Sequence, residues 1–472
     1  MSITDQPLRR RDFLRGSLGL AALATTGSLA GCATSGTGPT TEATSPAGGP
    51  VSDTNPFGVQ ANSTVDAVIF NGGYGIDYAE FAAQQVQTKQ QGVTVKVTPA
   101  TNIAQTLQPR FVAGNPPDVV DNSGANLIGI NTIRDQLADL TDVIEAKNYE
   151  GTVIKDTLYP GVTEPGTFEG KFVNLNYVLT VYAIWYSASL FEQEGWTVPK
   201  TYEEMLDLGA KAKAKGKYLL GWGKEAATYY RTMTVTSAIK QGGDEVRLAL
   251  ENLKPGCWSL PAVQDVFTGL KKIIDAGYVK PGGAGTQFTA AQAQWSEAEE
   301  FILYPSGGWI ENEMKKQTKK GFQMTGAPEP VVSTDSAMPW EALNSTAGEG
   351  YIVPSQGKNV AGGKEFMRAM LSKEAAVNFA KTKLASTIVK DTVPEDGFGS
   401  TALQSQIKLL NDAGSNVFTF KYYDFYGTNP DELVLWNTFL QGGSSVEELT
   451  KGEQSITDKI AKDDSIKKVE VS

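Results

Sequence analysis

The chain contains no histidine in 472 residues. That absence excludes Ser-His-Asp and Cys-His catalysis and every His-ligated metal site, while carboxylate chemistry stays open. Cysteine is almost as scarce, with only Cys32 and Cys257 present. Positive charge is in deficit: 42 Lys and Arg stand against 53 Asp and Glu, for a net charge of −11. The first 31 residues are net positive, which leaves the remainder at about −13. So acidic a surface repels phosphate backbones, and no basic cluster stands outside the N-terminal segment, so nucleic acid is not an expected partner. Beyond that segment no apolar run approaches the roughly 20 residues that a membrane-spanning helix needs. Hydrophobic content of 40% and charged content of 20% are those of an ordinary globular chain.

What is present begins with an address. Arg9, Arg10, Arg11 and Arg15 precede an uncharged apolar stretch over residues 18–30, which closes on Leu29-Ala30-Gly31-Cys32. A charged, an apolar and a small-residue region in that order make an export signal. Arg10-Arg11-Asp12-Phe13-Leu14-Arg15 looks like a twin-arginine motif, although Arg9 stands where Ser or Thr is usual, so general secretory export stays open. Leu-Ala-Gly-Cys is similar to a bacterial lipobox, which implies cleavage before Cys32 and a diacylglycerol on its thiol. The expectation is a signal peptide over 1–31, lipidation at Cys32 and a protein held at the extracellular face of the cell membrane. Residues 32–59 are rich in Thr, Ser, Gly and Pro and are predicted to be a flexible tether. If Cys32 carries lipid, Cys257 is left alone and is expected to be a small buried hydrophobe.

Further along, short apolar runs alternate with segments of helical periodicity. Residues 65–70 (VDAVIF) predict a buried strand feeding the glycine-rich turn Asn71-Gly72-Gly73-Tyr74-Gly75. Residues 77–91 predict a helix stopped by Gly92, and Val93, Val95 and Val97 alternate as a strand. Asn102 is placed to cap a helix running to Val112, and Asp118-Val119-Val120 begins a third strand. Later strands are predicted at 172–186, 218–222, 301–304 and 350–353, with helices at 203–215, 263–276 and 364–383. Such alternation implies α/β architecture with a parallel sheet and crossover helices.

Several segments then resemble one family, the solute-binding proteins of sugar-importing ABC transporters. Gly170-Lys171-Phe172-Val173-Asn174-Leu175-Asn176-Tyr177 resembles the family's first crossing between lobes. Trp185-Tyr186-Ser187-Ala188-Ser189-Leu190-Phe191, followed by Gly195-Trp196 and Pro199-Lys200-Thr201-Tyr202-Glu203-Glu204-Met205, is similar to its most specific stretch, with Tyr202 for the usual Trp and Ser187 for the usual Asn. Phe301-Ile302-Leu303-Tyr304-Pro305-Ser306-Gly307-Gly308-Trp309 and the helix from Lys364 to Ser372 match two more of its segments. NPFGVQANSTVDAVIFNGGYG and ILYPSGGWIENEM are similar to the actinobacterial branch that takes N-acetylglucosamine and diacetylchitobiose. The resemblance spans about residues 65–390. It implies a two-lobed, type II periplasmic-binding-protein-like fold with a hinged ligand cleft. Lobe 1 would hold 60–176 and 350–392, and lobe 2 would hold 178–345 and 396–472. It further implies a monomer that hands an N-acetylated sugar to the membrane subunits of an ABC permease, with no catalysis, no cofactor and no metal.

A sugar offers apolar C–H faces and a rim of hydroxyls, so a site needs a flat aromatic and planar amides or carboxylates. Trp309 follows two glycines at a strand end and aligns with the family's stacking tryptophan. Trp222, between Gly221 and Gly223, reads equally as cleft or core. Tyr74 lies in the glycine turn. Asp121, Asn122 and Asn176 are polar residues set against apolar runs, where either a sugar or a local turn could satisfy them. Glu225 and Tyr230 fall where the family places polar contacts; Trp340, Asn344, Glu349 and Tyr422 are weaker candidates. Glu311 and Glu313, just after Trp309, raise the competing reading of an extracellular glycosidase with two carboxylates.

Overall fold

The computed structural model describes residues 48–471, apart from 125, 160, 428 and 469. The export segment, Cys32 and most of the tether lie outside the described residues.

The strands in chain order are β1 (Thr64–Phe70), β2 (Thr94–Ala100), β3 (Val119–Asp121), β4 (Thr167–Phe168), β5 (Lys171–Phe172), β6 (Leu175–Ser187), β7 (Tyr218–Leu220), β8 (Phe301–Gly307), β9 (Met324–Ala327), β10 (Leu343–Ile352) and β11 (Val417–Phe418). One sheet runs β2-β1-β3-β10-β6-β8-β7, with β9 added on β6 and β11 on β10. β1 lies parallel to β2 and β3, and β7 lies parallel to β8. β10 is antiparallel to β3 and β6, and β6 is antiparallel to β8 and β9, while β11 runs parallel to β10. The sheet is therefore mixed rather than parallel throughout. The strand–helix alternation is real at each end, but the two central strands are returns of the chain from one half to the other, which periodicity does not reveal.

β6 is the spine. Its 13 residues are almost all buried, which explains the unbroken apolar and aromatic run: a strand covered on both faces has no solvent side to alternate toward. Leu175–Val181 pair with β10, and Tyr182–Ser187 pair with β8 and β9. A third extended segment joins the spine on its other edge, where the Leu179 amide donates to the Ser386 carbonyl and the Ile388 amide to the Tyr177 carbonyl.

The half built on β1, β2 and β3 packs helices Asp77–Lys89, Val360–Met370 and Lys373–Lys383 around Val65, Ala67, Tyr78, Val86, Phe366 and Phe379. The other half packs helices Tyr202–Ala214, Thr228–Gly242 and Pro261–Asp275 around Met205, Trp258, Phe267 and Leu270. Local signals act as expected: the Asn102 side chain accepts from the Gln105 amide to start helix Ile103–Val112, and Gly195 ends Ala188–Glu194 in the left-handed conformation that glycine tolerates.

Two expectations need correction. Residues 364–383 form two helices, because the Ser372 hydroxyl accepts from the Ala375 amide and restarts the chain as Lys373–Lys383. The tether expected over 32–59 does not run free to its end. The Asn55 side chain accepts from the Val59 amide and donates to the Pro50 carbonyl. Gln90 and Arg368 both donate to the Thr54 carbonyl, and Val59 is buried. Cys257 is buried, and burial pushes its thiol up to about 12, as for an inert apolar residue.

Helix Val360–Met370 sits so close to β3 that a Cβ on Gly363 would overlap the Asp118 carbonyl oxygen. Gly363→Ala should therefore lower the unfolding free energy by about 1–3 kcal/mol, seen as a reduced midpoint in urea denaturation followed by circular dichroism.

Candidate functional site

The carboxyl ends of β1, β3 and β8 converge where the two halves meet, the usual place for a ligand in an open α/β sheet. After β1, the Gly75 amide donates to the Gly72 carbonyl and Gly75 takes φ +66°, closing a tight turn. That turn drives Tyr74 inward against Phe379, with ring centroids 5.2 Å apart. It also lays Gly73 on the opposite half: a Cβ there would stand 3.0 Å from Glu313 Oε1 and 3.3 Å from Trp309 Cβ. The Asn312 side-chain amide donates to the Gly73 carbonyl across the seam.

Trp309 emerges from β8 through Gly307 and Gly308, and its indole covers Gly307 so closely that no Cβ could fit there. Tyr182 meets it edge-on at 5.7 Å, and Tyr229 lies 5.9 Å away. Trp309 is half-buried and packs against the core of the first half. The result is an aromatic wall on one half facing a glycine turn on the other.

Carboxyl groups fill the space beside it. Asp121 ends β3 fully buried, accepting from the Tyr78 hydroxyl at 3.1 Å and from the Ser123 hydroxyl. Tyr78 and Tyr351 share a hydroxyl–hydroxyl bond of 2.7 Å. Glu349 faces Asp121 from β10. It stands between Gly348 and Gly350 with φ +53°, a left-handed backbone that is costly for a side-chain-bearing residue and common at functional sites. Burial raises the Asp121 pKa to about 6 and pushes Glu349 well above the carboxylate range, with the charge of Asp121 pushing the same way. Two adjacent buried acids hold a proton between them because both cannot be charged there. On the other half, burial raises Glu313 to about 7, moderated by a 2.8 Å bond from Gln292.

Buried polar atoms normally have partners, yet along this seam several have none within the protein: the Tyr74 hydroxyl, Asn174 Oδ1, Asn176 Nδ2, Ser306 Oγ and Gln406 Oε1. Each such atom costs about 1–3 kcal/mol when left unsatisfied. A polar ligand lying between the halves could supply partners to these five.

Of the residues singled out from the sequence, Trp309, Tyr74, Asp121 and Asn176 meet at this seam. Four others do different work. Trp222 is 2% exposed and donates to Asn437 Oδ1, a core tryptophan for which Gly283 makes room. The Tyr230 hydroxyl donates to the Gly221 carbonyl inside the core. Asn122 clamps its own loop, accepting from the Ile128 amide and donating to the Ile128 carbonyl. Glu225 is exposed and accepts from the Phe288 amide at the start of helix Phe288–Ser296. Among the weaker candidates, only Glu349 stands in the cluster; Asn344 donates to Thr236 and Tyr422 packs on Arg231 in the core. Sequence reasoning missed Tyr182, Tyr229, Ser306 and Gln406. Glu349 carried a usable signal, an acid between two glycines inside a strand; Tyr182 and Gln406 carried none. Glu311 bonds Ser400 while Glu313 bonds Gln292, so the two acids after Trp309 are engaged in different directions.

Two outcomes are expected. Gly73→Ala should hold the halves apart and weaken ligand binding by roughly ten-fold, or about 1.4 kcal/mol, measured by calorimetric titration. The second concerns pH. Asp121 and Glu313 have folded pKa values above their unfolded ones, so their contribution to stability is present below the unfolded values, 3.8 for Asp and 4.5 for Glu, and is lost as pH rises through about 6 and about 7 respectively; Glu349 is shifted in the same direction. The melting temperature of the ligand-free protein should fall across that window, and Glu313→Gln should flatten part of the slope.

Comparisons with known proteins bear on the family and the fold. Residues 81–405 match the family model of the bacterial extracellular solute-binding proteins. The chain is 56% identical over 472 residues to the diacetylchitobiose binding protein NgcE of Streptomyces coelicolor, covering 100% of both. It is 25% identical over 326 residues to a probable sugar-binding periplasmic protein of Mesorhizobium japonicum, covering 66% of this chain and 71% of that one. Among solved structures, a complex of the binding protein RafE with raffinose superposes with a TM-score of 0.67 at 18% identity, over 84% of this chain and 99% of that one. A chitin oligosaccharide binding protein gives 0.67 at 19%, over 84% and 98%. These structural likenesses establish the two-lobed α/β fold. No helix among the described residues is long and apolar enough to cross a membrane. With the family model covering more than half its length and a relative matching from end to end, the chain belongs to the bacterial extracellular solute-binding proteins.

Proposed function

We propose that this protein is the lipid-anchored receptor of a carbohydrate ABC importer, capturing diacetylchitobiose or N-acetylglucosamine between its lobes and presenting it to the permease. Lobe 1 is taken as 60–176 with 350–392 and lobe 2 as 178–345 with 396–472, anchored through Cys32 after removal of residues 1–31. The observation that carries the reading is the seam itself. An aromatic wall of Trp309, Tyr182 and Tyr229 faces a row of buried polar atoms that lack partners, which suits a ligand with flat apolar faces and a hydroxylated rim. The end-to-end match to a diacetylchitobiose binding protein points to the same ligand.

In this mechanism the sugar stacks on Trp309 and its rim groups engage Tyr74, Asn176 and Ser306, so contacts come from both lobes and from the strand that joins them. A ligand touching both lobes favours the closed arrangement over the open one, and binding shifts that population. Three extended crossings, β6, β10 and the segment around residues 386–389, confine the motion to a hinge. Micromolar affinity corresponds to about −8 kcal/mol, within reach of one stacked aromatic and several hydrogen bonds.

Calorimetric titration against a panel of N-acetylated and plain sugars tests this. Diacetylchitobiose or N-acetylglucosamine should bind with micromolar affinity or better, and Trp309→Ala should weaken binding about 10–100-fold, that is by about 1.4–2.8 kcal/mol. Unchanged affinity in that variant would remove the stacking role. Release of reducing sugar from diacetylchitobiose would replace the receptor reading with that of an enzyme.

A further inference from the structure

The short helix Ile310–Met314, which follows Trp309, is fixed within its own half. Ile310 and Met314 are buried in the core there beside Trp295 and Tyr304. On either side of Asn312, Glu311 accepts from the Ser400 hydroxyl and Glu313 accepts from the Gln292 amide at 2.8 Å. Ser400 caps helix Thr401–Ala413, which packs on β9, and Gln292 lies on helix Phe288–Ser296, which packs on β8. Ile310 and Met314 are four residues apart on one face, so Asn312, midway between them, stands on the other.

From that face Asn312 reaches the opposite half. Its amide nitrogen donates to the Gly73 carbonyl, and its amide oxygen accepts from Lys315 Nζ at 2.8 Å. An ammonium can only donate, so the oxygen faces Lys315 and the nitrogen faces Gly73. The charge of Lys315 polarises the amide in the sense that strengthens its donation to Gly73. The acceptor is equally well fixed, because Gly73 lies in the turn closed by the 2.9 Å bond from the Gly75 amide to the Gly72 carbonyl. A Cβ on Gly73 would stand 3.0 Å from Glu313 Oε1 and 3.3 Å from Trp309 Cβ, so the approach suits glycine. Elsewhere on the seam, Gln406 Nε2 donates to the Leu384 carbonyl at 3.4 Å, near the outer limit for such a bond.

We infer that Asn312 is a closure latch: its bond to Gly73 forms only when the halves meet, and it raises the affinity for every ligand by a common factor without choosing among them. This rests on the receptor reading above and adds a positioning residue to it. Opening the halves breaks the bond and returns both groups to water; closing remakes it. The free energy of the bond therefore enters the open–closed equilibrium, and the observed affinity is the intrinsic one scaled by the closed fraction. Donor and acceptor both belong to the protein, and the acceptor is backbone, so the contribution does not depend on which sugar lies beside it. A bond that exists only in the closed state acts on release: a ligand leaves after the halves open, so the latch slows dissociation and leaves encounter with the open form unchanged. Lys315 is exposed, so its share is smaller and is screened by salt.

The test is calorimetric titration of the full mature protein and of Asn312→Ala, Asn312→Asp and Lys315→Met with every N-acetylated sugar that wild type binds, with dissociation followed by stopped-flow tryptophan fluorescence and folding checked by circular dichroism. Asn312→Asp keeps the size of the side chain and its bond from Lys315 but sets an acceptor against the Gly73 carbonyl, which separates the hydrogen bond from packing. Both Asn312 variants should lose about three- to ten-fold in affinity, by the same factor for each sugar, through faster dissociation. Lys315→Met should move in the same direction by less. Wild-type affinity in both Asn312 variants would overturn the latch and leave the receptor reading standing. So would wild-type behaviour of Asn312→Asp alone, which would reduce the contact to packing, and so would a loss confined to one sugar, which would make Asn312 a ligand contact. If folded wild type binds no sugar, the receptor reading itself fails.

Discussion

The pairing of β6 with β10 is the constraint on which the rest depends. Ser345 opposite Val181, Gly348 opposite Val178 and Tyr351 opposite Leu175 fix one register; from that ladder β10 reaches β3 in one half and β6 reaches β8 and β9 in the other. A slip of one residue would turn every side chain to the other face. It would take Asn176 and Glu349 away from the seam together, and would misplace Tyr182 relative to Trp309. The two lobes can swing, but the residues on the spine between them keep their order. The spine therefore serves as both hinge and floor of the site.

Around that floor the site is assembled by removing side chains as much as by adding them. Gly307 and Gly308 leave room that a Cβ would take from the Trp309 indole and from Gln406, and Gly73 lies in close contact with Glu313 and Trp309 of the other half. The acids then occupy the dry space created by this approach, and their proton affinity follows from it: an open cleft would wet them and return them toward ordinary values.

Much of the architecture was legible from the chain because it rests on local rules. Period-2 and period-3.6 patterns placed β1, β2 and the helix from Asp77, and Asn102 announced its own cap. The site was legible only in part. Trp222 and Trp309 look alike in sequence, each at a strand end beside glycine, but glycine makes room for different things. Around Trp222 the space is taken by Phe301, Phe288 and Gly283 of its own half; beside Trp309 the room at Gly307 is taken by the indole itself and that at Gly308 by Gln406, while Gly73 of the other half lies against the Trp309 Cβ. Asn122 and Asp121 are adjacent polar residues after the same strand, yet one folds back on Ile128 and the other turns toward Glu349. Asn122 finds its partner six positions on, whereas Asp121 meets Tyr78 and Glu349, 43 and 228 positions away, and no local pattern tells the two apart. The mixed order of the sheet escaped for the same reason.

The folded-back segment at residues 50–59 has a mechanical consequence. Its carbonyls are gripped by Arg368 and Gln90, both belonging to the lobe built on β1, β2 and β3. Any load arriving along the chain from residue 48 enters that lobe through a clamp on helix Val360–Met370 and does not reach the hinge strands directly. In the proposed receptor this lobe would be the fixed part and the second lobe the arm.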